Sequence, residues 1–397
     1  MANEKYDLIV FGSTGFTGRL VAEYLQKQYG EGGPSASDNI KWAMAGRSAE
    51  KLEQVRDEMG ISQDIDLLVA DSDDQSSLDS LVDSAKVVLT TVGPYQLYGE
   101  KLLATVVKLG KSYVDLCGEP AWMHQMIAKY QAEAKTNNAH IVFSCGFDSV
   151  PFDLGVYFLQ QAVIQETAAP LDYVKGRVRK MQGTFSGGTA ASLKATMVAA
   201  KQDKAIMHAL INPYSLATSE VLSEQPRGDK PHFDEKLGSW AAPFIMAAIN
   251  TKNVHRSNFL LNYAYGKTFK YDEMMLTGPG DKGEAIANHV ANDKSLGGEG
   301  GPKPGEGPSK EERENGFYDV LFIGEHANGK TYAASVAGYL DPGYGSTSKM
   351  ITESAICLAE KKESLSGGFY TSAPALGEAL IERLQKNAGL VFKIEQA

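Results

Sequence analysis

Cysteine is scarce in this sequence, and clusters of metal-binding side chains are missing. Cys117, Cys145 and Cys357 are the only three cysteines among 397 residues, and they lie far apart. Three distant cysteines predict neither a disulfide framework nor a zinc site. The seven histidines form no HExxH or similar motif, so we expect no bound metal.

Long hydrophobic runs and an excess of positive charge are also missing. The most apolar stretch, Trp240–Ile249, has about half the length of a membrane span. The polar start, MANEKYDL, leads directly into a predicted strand, so we expect no secretion signal and a cytoplasmic protein. A formal net charge of −10 argues against a broad nucleic-acid surface, although a local basic patch around a bound phosphate is compatible with it.

The first 150 residues alternate strand and helix patterns. Six apolar strand-like runs are each followed by a helix-like run, and KVVLTTVGPY is typical of a buried parallel strand. This alternation predicts right-handed crossovers and a Rossmann-type parallel sheet covered on both faces. Because 397 residues exceed a typical single core, we expect a second domain.

Residues 151–340 show a different pattern, which predicts an α+β domain with an antiparallel or mixed sheet. DYVKGRVRKM and FLLNYAYGKTFKYDEMML resemble longer strands, and NG marks a hairpin turn in EHANGKTY. Helical segments are predicted around 189–209. A Gly/Pro-rich stretch near 295–315 predicts a mobile loop, and two helices are predicted in 341–397.

A glycine loop, GSTGFTG, follows the first strand and opens the first helix. Gly12 would allow the tight turn, Gly15 the approach of a pyrophosphate, and Gly18 close packing of helix on strand. The free N–H groups of the helix start would face the phosphates. A glycine-rich turn without a ligand is the alternative. The predicted cofactor-binding residues here are Gly12, Ser13, Thr14, Gly15, Phe16, Thr17 and Gly18.

The end of the second strand indicates which dinucleotide would bind. NAD enzymes usually place a carboxylate there, but this strand ends with Arg47 and Ser48. A guanidinium can pair with a 2′-phosphate, which favours NADP(H); the alternative is a water-exposed arginine at a helix start. Asp71, beside Ser72 after the third strand, could bind the adenine amino group or cap the next helix.

The loop after the fourth strand, Val92–Gly93–Pro94, would lie under the nicotinamide ribose. Tyr95 and Tyr98 would then lie near the redox centre, either as proton donors or as packing aromatics. We select Tyr95 as the catalytic candidate because it directly follows the Gly-Pro turn.

Two further segments are candidates for the substrate cleft. In CGFDSVPFDLG, Asp148 either lies in the cleft or, like Ser149, caps the following helix, and Cys145 is expected to be a buried thiol. TFSGGTAAS could hold a substrate carboxylate or a carbonyl oxygen that gains charge, or it could be a capped strand-to-helix turn. The candidates there are Ser186, Gly187, Gly188 and Thr189.

Taken together, VFGSTGFTGRL, AGRS, TTVGPY, YVDLCGE and CGFDSVPFDLG resemble the saccharopine dehydrogenase-like oxidoreductase family. The branch of trans-acting enoyl reductases and eukaryotic saccharopine dehydrogenase-like proteins is the more similar, since LDPGYGSTSKMITESAICLA also resembles it. The resemblance covers the first 155 residues and returns near residue 340. It implies a Rossmann domain over 1–150, a substrate domain over 151–340, a nicotinamide cofactor, and a C-terminal segment over 341–397 that packs on the first domain.

The leading hypothesis is therefore an NADP(H)-dependent oxidoreductase that transfers hydride between nicotinamide and a carbonyl, imine or enoyl group. The substrate would be a small molecule, lipid-like or bound to an acyl carrier, and a homodimer is compatible with the resemblance. The alternative is a cofactor-binding sensor or scaffold without turnover, because a fold alone does not establish chemistry.

Overall fold

The computed structural model contains two sheets, and the first is a seven-stranded parallel sheet. The structure describes residues 4–184, 187–218, 220–293 and 306–396. In the order β3-β2-β1-β4-β5-β6-β13, the strands are β1 (Tyr6–Phe11), β2 (Trp42–Gly46), β3 (Asp66–Val69), β4 (Ala85–Thr90), β5 (Ser112–Val114), β6 (His140–Val142) and β13 (Gly368–Tyr370). The predicted Rossmann-type sheet is confirmed, but it has one strand more than expected.

That extra strand comes from the end of the chain. Gly368 pairs with His140 and Tyr370 with Val142, so β13 extends the parallel sheet beyond β6. A run of three residues carries too little pattern to be recognised from sequence. It forms because its backbone groups pair with an edge that β6 would otherwise leave open.

Six helices connect the first six strands. They are α1 (Phe16–Tyr29), α2 (Ala49–Glu58), α3 (Gln75–Asp83), α4 (Tyr95–Tyr98), α5 (Glu100–Leu109) and α6 (Pro120–Thr136). Ser48 caps α2 by accepting a bond from Lys51 N at 3.3 Å, and Asp74 caps α3 through Ser76 N at 3.0 Å. Helix α6 begins with Pro120, whose missing N–H is not needed at a first helical position.

The second sheet is mixed and also has seven strands. In the order β14-β12-β11-β7-β10-β9-β8, they are β7 (Tyr173–Gln182), β8 (His232–Asp234), β9 (Ser239–Pro243), β10 (Lys270–Gly278), β11 (Phe317–Glu325), β12 (Thr331–Gly338) and β14 (Val391–Glu395). Only β7 and β10 run parallel; the other neighbours are antiparallel. This agrees with the predicted mixed sheet.

The remaining helices follow β6. They are α7 (Val150–Thr167), α8 (Gly187–Gln202), α9 (Lys204–Ile211), α10 (Ala247–Leu260), α11 (Gly280–Asn292), α12 (Lys310–Glu314), α13 (Thr347–Lys361) and α14 (Ser372–Arg383). Helices α7 and α10 pack on each other, α7 against β11 and β12, and α10 against β10. Within the described residues, no helix combines the length and apolar character needed to cross a bilayer.

Two predicted elements differ from the structure. The stretch FLLNYAYGKTFKYDEMML was predicted as one strand, but its first residues end α10 and form a turn before β10 begins at Lys270. Asn258 holds that turn by accepting a bond from Tyr265 N and donating one to Gly266 O. Of the predicted mobile loop near 295–315, residues 294–305 lie outside the described residues, and α12 forms within the remainder.

The segment after residue 340 contacts both domains. Helix α13 packs on α1 and on strands β1, β4 and β5 of the parallel sheet. Strand β14, by contrast, pairs with β12 in the second sheet, so this segment is not only a pair of helices on the first domain. The chain therefore crosses between domains more than once.

The turn Pro342–Ser346, which we call the crossing turn, is organised by Asp341. Its buried carboxylate accepts bonds from Tyr344 N at 2.9 Å and Gly345 N at 2.7 Å. At the end of the turn, Thr347 Oγ1 donates to Pro342 O at 2.8 Å and accepts from Phe147 N at 2.9 Å. The crossing turn thereby joins the segment after β12 to the loop after β6.

Removing the Asp341 carboxylate is predicted to destabilise the protein. Asp341→Ala leaves two buried N–H groups unpaired, which should lower the free energy of unfolding by about 2 kcal/mol. Asp341→Asn retains an acceptor and should lose less. Chemical denaturation measures both, with the exposed Asp281→Ala as control; equal stability of Asp341→Ala and the control would contradict the assigned role.

Candidate cofactor and active site

The glycine loop between β1 and α1 has the geometry of a phosphate cradle. Gly12 has φ +96°, a left-handed conformation that favours glycine. A Cβ on Gly18 would lie 2.1 Å from Gly12 O, so only glycine lets the helix pack this closely. A Cβ on Gly15 would meet only Gly12 O, at 3.3 Å, and Gly15 is exposed. The loop is therefore closed towards the protein and open at Gly15.

The start of α1 leaves backbone donors free for an anion. Gly15 is the N-cap and supplies no side-chain acceptor, and the first turn contains no acidic residue. First-turn N–H groups have no partner within a helix, so those of Phe16 and Thr17 are available. Ser13 is buried and donates to Val10 O at 2.7 Å, which fixes the loop, while Thr14 is half-buried. This arrangement suits a pyrophosphate.

Arg47 lies exposed at the carboxyl end of β2 and forms no ion pair within the described residues. Its neighbour Ser48 caps α2. After β3, Asp71 accepts a bond from Asp73 N at 2.9 Å and does not cap α3, because Asp74 does so. Ser72 is buried beside it. The Arg47 guanidinium, which has no ion pair among the described residues, remains available for a phosphate.

The turn after β4 favours the packing alternative for Tyr95 over the proton-donor one. Its hydroxyl is buried, donates to Thr90 O at 3.2 Å and accepts from Leu116 N at 3.0 Å. The ring packs against Trp122, with centroids 5.7 Å apart. Burial raises the pKa of this phenol well above its ordinary value. Tyr95 thus fixes the turn that contains Val92, Gly93 and Pro94, and it is not placed to donate a proton.

Glu119, to which the sequence analysis gave no role, connects this turn to the second domain. Its buried carboxylate accepts bonds from Tyr95 N and Gln96 N, each at 2.9 Å. It also accepts from Ser192 Oγ of α8 at 2.9 Å, and Gln96 Nε2 donates to Thr196 Oγ1 at 3.1 Å. Helix α8 is thereby held against the turn that follows β4.

The loop after β6 brings Asp148 to the carboxyl edge of the parallel sheet. Asp148 is partly exposed, while its Oδ1 is buried and has no hydrogen-bond partner in the described part of the chain. Burial raises the pKa of this carboxyl to about 7. Ser149 begins α7 without a side-chain cap and instead accepts a bond from Asn253 Nδ2 at 2.7 Å.

The second domain contributes a buried polar cluster behind this loop. Glu273 of β10 accepts bonds from Tyr271 OH and Asn250 Nδ2, both at 2.9 Å. Burial, helped by the negative charge of Asp148, raises the pKa of Glu273 to about 8. Asn250 Oδ1 and Asn253 Oδ1 are buried and have no hydrogen-bond partner among the described residues. Together with Asp148 Oδ1 they are three acceptor oxygens that a ligand or ordered water could satisfy.

Other candidates from the sequence lie as follows. Cys145 is buried, donates to Val142 O at 3.5 Å and has its pKa raised by burial, so it is a packing thiol. Tyr98 ends α4 and is 45% exposed. Gly187, Gly188 and Thr189 form the first turn of α8, and Ser186 lies outside the described residues. The described residues contain no group of three or more side chains that could hold a metal ion.

Comparison with known proteins assigns the fold and the cofactor. Residues 8–142 match the family model described as the saccharopine dehydrogenase NADP binding domain. A Mycobacterium tuberculosis protein provisionally named a trans-acting enoyl reductase is 38% identical over 96% of this chain and 95% of its own. The trans-acting enoyl reductase of Mycobacterium ulcerans is 33% identical over 98% of both chains. This chain belongs to the saccharopine dehydrogenase-like oxidoreductases.

A solved structure agrees at the level of fold. The saccharopine dehydrogenase (L-Glu forming) of Saccharomyces cerevisiae superposes with a TM-score of 0.54 at 12% identity, and it covers 99% of this chain. The protein is an NADP-dependent oxidoreductase, as the sequence predicted. The residues fit that cofactor. The glycine loop is open at Gly15, where a side chain would take up the space for a phosphate. Arg47 has no ion pair among the described residues and remains available for a 2′-phosphate.

Sequence reasoning missed Glu119, Asn250, Asn253 and Glu273. Glu119 stood within YVDLCGE, but nothing in that string indicates that its carboxylate joins two domains. The polar run NTKNVHRSN gave one unused signal, because α10 buries nearly all of it between the two domains. A surface helix would expose such residues, and only the tertiary structure shows that this one does not.

The partner-free guanidinium predicts a preference for NADPH. Arg47→Ala should weaken NADPH binding by about 1.5–3 kcal/mol, the range for hydrogen bonds to charged groups, and NADH binding much less. Calorimetric titration measures both. Lys51→Ala, an exposed cation one helical turn on, is the matched control. Equal losses for the two cofactors would remove the 2′-phosphate assignment.

Two glycines of the same loop should respond differently to substitution. Gly15→Val should abolish NADPH binding and leave the protein folded, because its side chain would occupy the phosphate position. Gly18→Ala should instead destabilise the fold, since its Cβ would lie 2.1 Å from Gly12 O. Thermal denaturation and cofactor titration separate the two effects; unchanged affinity in folded Gly15→Val would show that the dinucleotide binds elsewhere.

Proposed function

We propose that this oxidoreductase reduces the carbon–carbon double bond of a 2-enoyl thioester, with NADPH as reductant. The support from sequence is that relatives named trans-acting enoyl reductases align over 96–98% of this chain. An alignment of that length includes both domains, so it includes the residues of the cleft as well as those of the glycine loop.

The observation that carries the proposal is the carboxyl of Asp148. Its buried oxygen has no partner among the described residues, and its pKa of about 7 means that a large share of the molecules carry the proton near neutral pH. Reduction of a conjugated alkene needs one proton from such a group. A donor is most effective when its pKa lies near the working pH, and the pKa of Asp148 does.

The reduction adds one hydride and one proton across the double bond. NADPH, held by the glycine loop from Gly12 to Gly18 and by Arg47, would supply the hydride for C3 of the enoyl group, and the electron pair of the double bond would move towards the thioester carbonyl. Asp148 then donates its proton to C2, which leaves a saturated thioester, an Asp148 carboxylate and NADP⁺. Solvent reprotonates the carboxylate before the next turnover.

The remaining groups of the cleft bind and orient. The carbonyl oxygen gains charge as hydride arrives, and N–H groups at the start of α8, from Gly187 to Thr189, are our candidates to stabilise it. Ser186 stays a candidate beside them. Asn250 and Asn253 offer unpaired amide oxygens for donor groups of the substrate.

We further propose that the enoyl group is presented on an acyl carrier or as a lipid-like thioester. The names of these relatives describe enoyl reductases that act in trans. Such an enzyme must receive its substrate from another protein. The homodimer and the cytoplasmic location expected from the sequence stay predictions.

The role of Asp148 predicts a pH profile. Its raised pKa means that the carboxyl is protonated below pH about 7, so kcat should be constant below that value and fall above it. Asp148→Asn should lower kcat by about 10²–10⁴-fold and remove this limb, with NADPH affinity retained. Steady-state assays of crotonyl N-acetylcysteamine thioester across pH measure both effects.

Asp153 provides a matched control. It lies five residues further along, and burial raises the pKa of its carboxyl to about 7 as well, but both oxygens have protein partners, Ser257 and Ala373 N. Asp153→Asn should retain the pH limb even where it lowers stability. If the fall in kcat above pH about 7 persists in Asp148→Asn and disappears in Asp153→Asn, the assignment of the proton donor is refuted.

A further inference from the structure

Helix α8 is oriented opposite to an ordinary surface helix. Its inward face carries Ser192 and Thr196, which bond to Glu119 and Gln96. Its outward stripe consists of Lys194, Met197, Val198 and Lys201, all of them exposed. Surface helices normally bury their apolar face and expose the polar one. Here the polar face is half-buried against the first domain, and the apolar side chains Met197 and Val198 lie in solvent between two lysines.

Helix α9 repeats this pattern on its exposed side. Its stripe, at the same spacing, is Lys204, Met207, His208 and Ile211. The most exposed apolar side chains of the two helices are Met197 at 51%, Val198 at 49% and Ile211 at 72%. The two helices also pack on each other. Neighbouring apolar stripes of this kind are typical of an interaction surface.

The charge of this surface indicates the charge of its partner. Lys194, Lys201 and Lys204 form no ion pair within the described residues. The one carboxylate in α8–α9, Asp203, is used as the cap of α9 through Ala205 N at 2.7 Å. Three lysines and one aspartate leave a net charge of +2 in a chain of net charge −10. The surface therefore suits an acidic partner.

The composition of the stripes favours a protein over a membrane. Helices that lie on bilayers use Trp, Phe or Leu beside many cations. Residues 187–211 contain no Trp, Tyr or Phe and only three lysines, and the two leucines, Leu193 and Leu210, lie outside the exposed stripes. Each lysine near an anionic membrane contributes only about 1 kcal/mol. Methionine, present twice in the stripes, is adaptable and frequent at protein-binding surfaces.

The surface is also close to the redox centre. Gln96 and Glu119 hold the inner face of α8, and a Cβ on Gly93 would lie 3.9 Å from Ser192 Oγ. A protein bound to the outer face would therefore lie one helix away from the turn under the nicotinamide ribose. That is a suitable distance for a substrate on a flexible arm, because a short tether makes the second binding step intramolecular.

We propose that the outward faces of α8 and α9 dock an acidic, helical carrier domain, which delivers the enoyl group on its phosphopantetheine arm. The inference rests on the proposed function. The docking surface consists of Lys194, Met197, Val198, Lys201, Lys204 and Ile211.

The test compares a carrier-bound with a free substrate. The probes are a stand-alone acidic acyl carrier protein loaded with a crotonyl group and crotonyl N-acetylcysteamine thioester. Reversing two charges in Lys194→Glu/Lys201→Glu should raise KM for the loaded carrier by about tenfold or more, since like charges across an interface repel. The kcat/KM of the free thioester should stay unchanged. Lys270→Glu/Lys282→Glu, a reversal of two exposed lysines elsewhere in the second domain, should change neither.

Direct binding keeps this test separate from the proposed reaction. Affinity for a fluorescently labelled carrier protein is measured in the presence of NADP⁺. The affinity of the charge-reversed variant should be lower by about tenfold or more, because its glutamates would repel the acidic carrier. If neither thioester is reduced, the proposed reaction is wrong, and the binding result still decides the docking surface. Equal carrier affinity in the variant and in the parent protein would overturn docking. Binding to phosphatidylserine vesicles without binding to the carrier would also overturn it.

Discussion

The crossing turn held by Asp341 is the constraint on which the arrangement of the two domains depends. It lies where the chain leaves the second sheet and enters α13 in the first domain. Tyr344 of this turn packs edge-on against Phe16 of the cofactor loop, at 5.1 Å between ring centroids, and Thr347 binds the backbone of the loop that carries Asp148. Ser346 shares a hydrogen bond with Tyr318 of β11 at 2.9 Å. One short segment therefore fixes the glycine loop, the acid-bearing loop and the second sheet relative to one another. A buried carboxylate is suited to hold it, because each bond from a backbone N–H to an ionised acceptor is stronger than a neutral one.

Polar side chains are buried where the two domains meet. Helix α10 buries Asn250, Asn253 and Ser257, which a globular core would normally replace by apolar side chains. Each of the three donates a bond to a group on another element, and two of those acceptors, Ser149 and Asp153, belong to the start of α7. The helix thus orients the loop that precedes α7. The desolvation that this burial imposes is what raises the pKa values of Asp148 and Glu273, so the same packing that joins the domains prepares a carboxyl to hold a proton.

The parts of the molecule that the sequence predicted are those determined by local pattern. Strand–helix alternation, the spacing of Gly12, Gly15 and Gly18, and the basic end of β2 depend on neighbouring residues, and they led to the correct fold class and cofactor. The structure favours the packing alternative for Tyr95, which the sequence could not separate from the catalytic one, because a tyrosine after a Gly-Pro turn has the same sequence whether its hydroxyl faces a cleft or the carbonyl of Thr90. Glu119 and Asn253 were missed because their partners, Ser192 and Ser149, lie 73 and 104 residues away. No periodicity in a single sequence contains such pairings, and they are the pairings that assemble the cleft.

Glu119 fixes the orientation of α8 relative to the turn after β4. Its carboxylate receives the N–H groups of Tyr95 and Gln96 on one side and the hydroxyl of Ser192 on the other. These bonds commit the polar face of α8 to the first domain, so the apolar face must point to solvent. The exposure of Met197 and Val198 is thus a consequence of how the helix is held at the cleft. An isolated protein that shows such a surface gains nothing from it, because exposed apolar area is unfavourable in water. This exposure is explained if, as proposed, a partner covers the outer face of α8. The inner face contacts the turn after β4, so α8 would then lie between the docked partner and the proposed site of reduction.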